Sequence, residues 1–530
     1  MPNTKPNTQP NTKPEKASKP ISKIIIVGGG TAGWMAAASL SRYVQDKPIS
    51  ITLIESTTVG TVGVGEATIP NIVKFNHNLG INEIDFIKAT QATFKLGIQF
   101  EDWHQKDSSF FHPFADYGLT IDNIEFHHYL NRVKAEGEQA DPQGLANLDL
   151  QSLDLQNYSF PCLLAQKGKF AQPHPQPPSP LADYSYAYHF DAGLYANFLS
   201  DFSQKQGVNQ IDAKVSTVNL DADNGFIRAV TLEDGRVIEG DLFIDCSGFK
   251  GLLIEGALKT GYDDWSQWLP CDRAVAVQTE STGKMPPYTR CIASDSGWQW
   301  RIPLQHRMGN GYIYSSQFED DDSAEKTLLQ SIEGKPINQP RKFEFCPGRR
   351  KQIWHKNCFA LGLASGFLEP LESTSISLIQ TALAKLLTFF PDQSFNQHDI
   401  DEVNRLHNRE LENIRDFLIL HYKLTARDDT PFWQHCQAMP IPDSLAHKIG
   451  LFESRGHIVL FDHESFEQAS WLTMYNGFKR TPQRYDERIA GLDPKMIQQK
   501  LAQMRQSMEG AAEQAMSHKE FIQKHCPAQA

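Results

Sequence analysis

The chain has 530 residues, of which 40% are hydrophobic, 22% charged and 10% aromatic, and its formal net charge is −12. This composition excludes collagen, coiled coil and a wholly disordered chain, and it fits a globular enzyme of about three domains' length. The acidic balance argues against general nucleic-acid binding, which needs Lys and Arg clustered on phosphates, and no apolar run reaches the roughly 18 residues of a membrane span.

Residues 1–20 are a Pro/Asn/Thr repeat without a hydrophobic stretch. They predict a disordered tail and not a secretory signal. Residues 24–27, Ile-Ile-Ile-Val, are β-branched throughout and predict a strand buried on both faces. Gly28-Gly29-Gly30-Thr31-Ala32-Gly33 follows, then a helical stretch over 34–40, then a strand over 51–54 ending in Glu55. In that setting Gly28-x-Gly30-x-x-Gly33 predicts a dinucleotide turn. Gly28 permits the tight turn, Gly30 lets the backbone approach a pyrophosphate, and Gly33 allows close helix–strand packing. The helix start adds free N–H groups, and the Glu55 carboxylate can take ribose hydroxyls. The turn does not separate FAD from NAD, and nothing shows a second site for NADPH. A second glycine-rich loop, Gly63-Val64-Gly65-Glu66-Ala67-Thr68-Ile69-Pro70, is either a plain turn or a backbone laid against a cofactor.

Phe94, Leu96, Ile98 and Phe100 alternate with Lys95, Gly97 and Gln99, which predicts a half-buried strand. Lys95 falls on its polar face beside Gly97, where a lone lysine is ordinarily a solvated charge. Residues 137–183, with prolines at 173, 175, 177, 178 and 180, read as loop. Strands are expected over 215–220, 227–232 and 242–244, with a hairpin turn at Asp234-Gly235. Trp298, Trp300 and Ile302 share one strand face. The two indoles are either core filler or a wall beside a ligand. From about 376 the pattern is helical, with Leu/Ala-rich stretches at 376–390 and 402–422 and a polar helix plus tail at the end. The eight cysteines are scattered with no C-x-x-C. They signal neither a zinc site nor a redox dithiol and favour buried thiols in a reducing, cytoplasmic setting.

The two glycine loops and Trp298-x-Trp300-x-Ile302-Pro303 together resemble the flavin-dependent tryptophan halogenases. Phe367-Leu-Glu-Pro-Leu-Glu372-Ser-Thr, Arg427-Asp-Asp-Thr-Pro-Phe-Trp433 and Asp245-Cys-Ser-Gly248 carry the same resemblance. It spans about residues 21 to 490 and is weakest after 435. Flavin hydroxylases share the first turn but not the Trp-x-Trp-x-Ile-Pro element.

The resemblance implies an α/β fold: a FAD-binding, Rossmann-like glycine-turn βαβ domain with mixed sheets over 21–395. A helical substrate-capping lobe would follow over 396–515 and a tail over 516–530. It implies regioselective chlorination or bromination of an electron-rich aromatic of indole or tryptophan type. Reduced FAD would come from a separate flavin reductase, with oxygen and halide as co-substrates, and a homodimer stays open. Hypohalous acid made at the flavin would travel past Trp298 and Trp300, which shield the cofactor, to Lys95. Glu372 would stabilise the cationic ring or assist its loss of a proton; alone, it reads as a helix-start carboxylate. FAD contacts carry over to Gly28, Gly30, Thr31, Ala32, Gly33, Glu55, Glu66, Ala67, Val215, Leu363 and Ile376. Ser373 and Thr374 suit an N-cap, and the backbone N–H groups of Thr374 and Ser375 form a halide site at the helix start. The family usually has glycine at position 375, and serine takes φ > 0 reluctantly. No metal is implied.

His112 and Phe114 fall where the family stacks an indole, or are two core aromatics. The family also clasps the amino-acid end of tryptophan with a tyrosine pair and a glutamate, but residues 441–480 contain only one tyrosine, Tyr475. Burying a zwitterion without partners is costly. Free tryptophan is therefore expected to be a poor substrate beside indole, a substituted indole, or a larger or carrier-bound aromatic. The rivals are an NADPH-dependent flavin hydroxylase, opposed by the tryptophan pair, and a non-catalytic flavin-binding protein, opposed by retention of Lys95 and Glu372.

Overall fold

The computed structural model describes residues 19–58, 65–139 and 153–528. The repeat over 1–18, together with Gly63 and Val64, lies outside the described residues. Lys19 and Pro20, which the sequence assigns to the tail, are tied down: the Lys19 carbonyl accepts the Gln393 N–H at 2.8 Å, and Pro20 bridges Asp392.

Two sheets organise the molecule. The first has six strands, and its centre is Lys23–Val27, paired in parallel with Ser50–Glu55 on one side and Leu242–Asp245 on the other. A strand hydrogen-bonded on both sides and covered on both faces must be apolar throughout, and residues 24–27 are all buried. The crossover helix Thr31–Tyr43 carries Met35-Ala36-Ala37-Ala38, all fully buried. Such short side chains bring the helix close to the sheet and to the Ala192–Lys205 helix on its far side.

The second sheet has seven strands, in the order Arg341–Glu344, Arg273–Glu280, Arg307–Tyr314, Gly297–Pro303, Thr289–Ser294, Gly97–Glu101, Ser109–Pro113. All its pairs are antiparallel except Thr289–Ser294 with Gly97–Glu101. The α/β fold with mixed sheets and a helical C-terminal region is as the sequence predicted. That region comprises Gln397–Lys423, Pro431–Ala438, Asp443–Arg455, Gln468–Gly477 and Pro494–Gln514. Among the described residues no helix is long and apolar enough to cross a membrane.

Three expectations are corrected. The strand over 94–100 is broken at Leu96 into Thr93–Lys95, which pairs with Ala187–Asp191, and Gly97–Glu101, which joins the seven-stranded sheet. Its polar face is covered, so Lys95 is buried and not solvated. Gly97 serves the close approach of Ser109–Pro113, since a Cβ there would lie 2.1 Å from the His112 carbonyl oxygen. The stretch read as loop contains the helix Phe160–Gln166, started by Pro161 and held by Cys162-Leu163-Leu164-Ala165, all buried. The tail is also structured. Met516–Ser517 pairs with Lys169–Phe170, and the His518–His525 helix, started by a Ser517/Glu520 capping box, buries His518 beneath the Phe94 N–H.

Candidate active site

The cofactor cradle follows from glycine geometry. Gly28 ends the central strand at φ +112, and a Cβ there would lie 2.2 Å from the Cys246 carbonyl oxygen. A Cβ on Gly33 would lie 1.8 Å from the Gly28 oxygen. The Thr31–Tyr43 helix starts at Gly30 with no side-chain cap, so its first N–H groups face outward. In front of this turn is a cavity of about 630 Å³ lined by Gly28, Gly30, Thr31, Ala32, Glu55, Glu66, Ala67, Leu363 and Ile376. Its size and its bare backbone fit a dinucleotide at a helix N-terminus. Gly33 lies beneath the turn. Val215 opens the Val215–Leu220 strand and is not part of the lining. Glu66 faces the cavity with its carboxyl pushed up to about 7 by burial and by the charge of Asp191. Gly33→Ala is expected to lose flavin binding because the added methyl overlaps backbone that cannot yield; a flavin titration followed by fluorescence checks this.

Trp298 and Trp300 line the opposite wall with Ile302, as their strand period predicts, with ring centroids 6.1 Å apart and planes at 56°. Trp300 lies flat over Gly311, where a Cβ would meet its ring at 2.0 Å. Trp298 Nε1 donates to Glu369 at 2.9 Å, and the Tyr422 hydroxyl donates to the same carboxylate oxygen at 2.8 Å. Burial raises the Glu369 carboxyl to about 7, against those two hydrogen bonds.

Lys95 is 0% exposed. Its Nζ donates to the Thr68 carbonyl at 2.9 Å and to Ser373 Oγ at 2.8 Å, and the Phe114 ring lies 5.3 Å away. Burial lowers the ammonium to about 7, partly opposed by the neighbouring Cys291 and Glu372. Glu372 accepts from His112 Nδ1 at 2.9 Å and from His421 Nε2 at 2.8 Å. Burial alone would raise its carboxyl, but the two histidines outweigh that and hold it down to about 2. Ser373 also lines the large cavity. The space in front of the glycine turn therefore ends one hydroxyl away from the Lys95 amine.

That continuity agrees with sequence comparison: the family model for tryptophan halogenases matches residues 23–494. The chain belongs to the tryptophan halogenase family. It is 36% identical over 441 residues to the tryptophan 6-halogenase SttH of Streptomyces toxytricini, covering 81% of this chain and 83% of that one. Its structure superposes on BrvH, a flavin-dependent halogenase from Brevundimonas sp. BAL3, with a TM-score of 0.90 at 46% identity over 96% and 99% of the two chains. A flavin-dependent halogenase from Xanthomonas campestris gives the same TM-score at 44% identity over 97% and 100%.

The start of the Ser375–Thr388 helix in this family member departs from expectation in two ways. Thr374 occupies the N-cap position, but its side chain makes no capping bond, and its hydroxyl is buried without a partner. Ser373 does not cap either, because its hydroxyl serves Lys95. The left-handed backbone falls at Ser373, φ +59, rather than at Ser375. Among the described residues the backbone N–H groups of Thr374 and Ser375 meet no protein acceptor.

On the far side of Lys95, His112 is turned edge-on to Glu372, with the Phe417 and Phe466 rings at 6.0 and 6.5 Å. Trp471 packs on Phe417 at 5.0 Å, and its indole N–H is buried without a partner. Beyond it, Lys448 and Glu464 form a buried ion pair with the ammonium 4.0 Å over the Trp471 ring. Tyr475 is stacked on Phe452 at 3.9 Å and is committed to packing. The sequence reading did not single out Thr68, Ser373, Glu369 or His421 as candidate functional groups. Ser373 and Glu369 lie inside the quoted 367–374 motif. Thr68 acts through its backbone, and His421 through a helix whose sequence marks it only as amphipathic.

Proposed function

We propose that this protein is a flavin-dependent halogenase that installs chloride or bromide on an electron-rich aromatic of indole type, drawing reduced FAD from a separate reductase. The observation that carries this reading is Ser373, which lines the cofactor cavity and accepts a hydrogen from Lys95 Nζ. When bound, reduced FAD supplies hypohalous acid from oxygen and halide. Backbone groups at Gly28, Gly30 and Thr31 hold the pyrophosphate, and Glu55 takes the ribose. Trp298 and Trp300 keep the aromatic substrate off the cofactor. The free N–H groups of Thr374 and Ser375 bind halide. Lys95, with two hydrogens committed to Thr68 and Ser373, orients the oxidant with the third, and the Glu372 anion stabilises positive charge on the ring under attack. His112 and Phe114 bound the aromatic guest, and the helical lobe over 396–515 caps it.

The substrate end of the lobe supports indole over free tryptophan. Lys448 and Glu464 already neutralise each other's charge there, so a zwitterion would bring two further charges into a buried region that offers it a carboxylate oxygen and an indole N–H but no free charge. The test is turnover of indoles and of free tryptophan with bromide or chloride and a generic flavin reductase. Halogenated indole, formed faster than halogenated tryptophan, is expected. Clearly faster turnover of tryptophan overturns the substrate assignment. Hydroxylated product coupled to direct NADPH oxidation, with no halogenated product, overturns the function.

A further inference from the structure

His421 lies near the end of the Gln397–Lys423 helix and is 0% exposed. Its Nδ1 is 2.8 Å from the backbone oxygen of Phe417, one turn earlier. A carbonyl oxygen only accepts, so this nitrogen carries a hydrogen. The other ring nitrogen, Nε2, is 2.8 Å from Glu372 Oε1. A neutral ring protonated at Nδ1 would aim a lone pair at a carboxylate across that distance, in a region closed to water by Phe100, Trp103 and Phe417 at 5.2, 6.0 and 5.1 Å. Two acceptors facing each other in a dry site are unfavourable. The contact is satisfied when a second hydrogen lies on the Nε2···Oε1 line. The titratable groups facing Glu372 are His112 from the Ser109–Pro113 strand, His421 from the helix, Lys95 from the Thr93–Lys95 strand and Cys291 from the Thr289–Ser294 strand.

We propose that His421 is a positioning residue: as an imidazolium anchored on the Phe417 carbonyl, it holds Glu372 ionised and fixed in orientation beside Lys95. It reaches the substrate only through Glu372. With His112 on one side and His421 on the other, both carboxylate oxygens are engaged by ring N–H donors, so the anion cannot swing away when a guest enters. The depressed carboxyl of Glu372 agrees with this arrangement. The inference rests on the halogenase reading for the purpose of the site, but its first test does not need turnover.

In the full-length protein labelled with 15N-histidine, the His421 ring signals are assigned by their loss in His421→Gln. Both ring nitrogens are expected to carry hydrogens from about pH 5 to pH 8, as the Phe417 carbonyl and the Glu372 carboxylate facing them require. In Glu372→Gln the ring is expected to become neutral in that range. A neutral His421 ring in the wild-type protein overturns the proposal whether or not the protein halogenates. The second test is the pH dependence of bromination. Without the imidazolium only His112 remains to oppose burial, so the Glu372 carboxyl rises and the anion is lost more readily as pH falls. His421→Gln, which keeps a neutral donor, and His421→Phe should lose activity by about tenfold or more between pH 7 and pH 5, where the wild type changes by no more than about twofold as Lys95 gains its proton. Flavin binding and substrate KM should remain close to wild type. Variants whose pH profile matches the wild type overturn the proposal. Absence of halogenated product from the wild type would instead overturn the halogenase reading, and the ring protonation then decides this inference alone.

Discussion

Lys95→Ala is expected to lower halogenation by about 10³-fold or more while flavin binding stays at the wild-type level. The amine stands between the cofactor cavity and Glu372, anchored by Thr68 and Ser373, and no other described amine occupies that position. The companion expectation concerns stability. The ammonium titrates near 7 in the fold against an ordinary 10.5, so the unfolded chain binds one more proton than the folded chain between those values. Lys95 therefore destabilises the fold fully below about pH 7, and the penalty fades as pH rises toward 10.5. Lys95→Met, which keeps the side-chain length, should be more stable than wild type near pH 6 by a few kcal/mol, roughly, with the gain shrinking above pH 7. Denaturant unfolding at two pH values measures it, and an equal or greater gain at high pH would contradict the burial argument. A buried amine that lowers the stability of its own fold is a candidate functional group rather than a structural one.

Glu372→Gln is the second large effect. The carboxylate accepts from His112 and His421 together, whereas a carboxamide has one oxygen and turns its NH₂ toward one of the two rings, which must then be neutral to accept it. Loss of the anion is expected to lower halogenation by about 10²- to 10³-fold. Exchanging a charge-assisted hydrogen bond for a neutral one should cost on the order of 1 kcal/mol of stability at neutral pH. Because the carboxyl titrates near 2 in the fold against an ordinary 4.5, its contribution is present above pH 4.5 and lost as pH falls toward 2. The stability difference between variant and wild type should therefore narrow through that window. Steady-state kinetics with bromide, read beside a flavin titration, separates the chemical loss from any loss of cofactor.

The legible part of the molecule was local. The buried strand at 24–27, the glycine turn and the short-chain helix after it each depend on residues a few positions apart, and their geometry follows from backbone sterics that residue type controls. The Trp298/Trp300 face was legible for the same reason, because a period of two is a property of the strand itself. The resemblance to halogenases added Lys95 and Glu372, which no local pattern marks. What misled was cover. Alternation over 94–100 put Lys95 on a polar side, but did not tell that this side would be closed by the segments carrying Thr68 and Ser373. The proline-rich stretch hid a seven-residue helix for a similar reason, since its apolar residues have meaning only against the helix Pro494–Gln514 that packs on it.

The amino-acid sequence by itself determined where the nucleotide turn is, which face the two indoles share and that the chain would form an α/β enzyme. Only the tertiary structure decided that Lys95 is dry, that Ser373 joins it to the cofactor cavity from 278 positions away, and that His112 and His421 meet on one carboxylate. The reason is that torsional preference acts over a few residues, whereas burial and charge pairing depend on which distant segments the order of strands brings together.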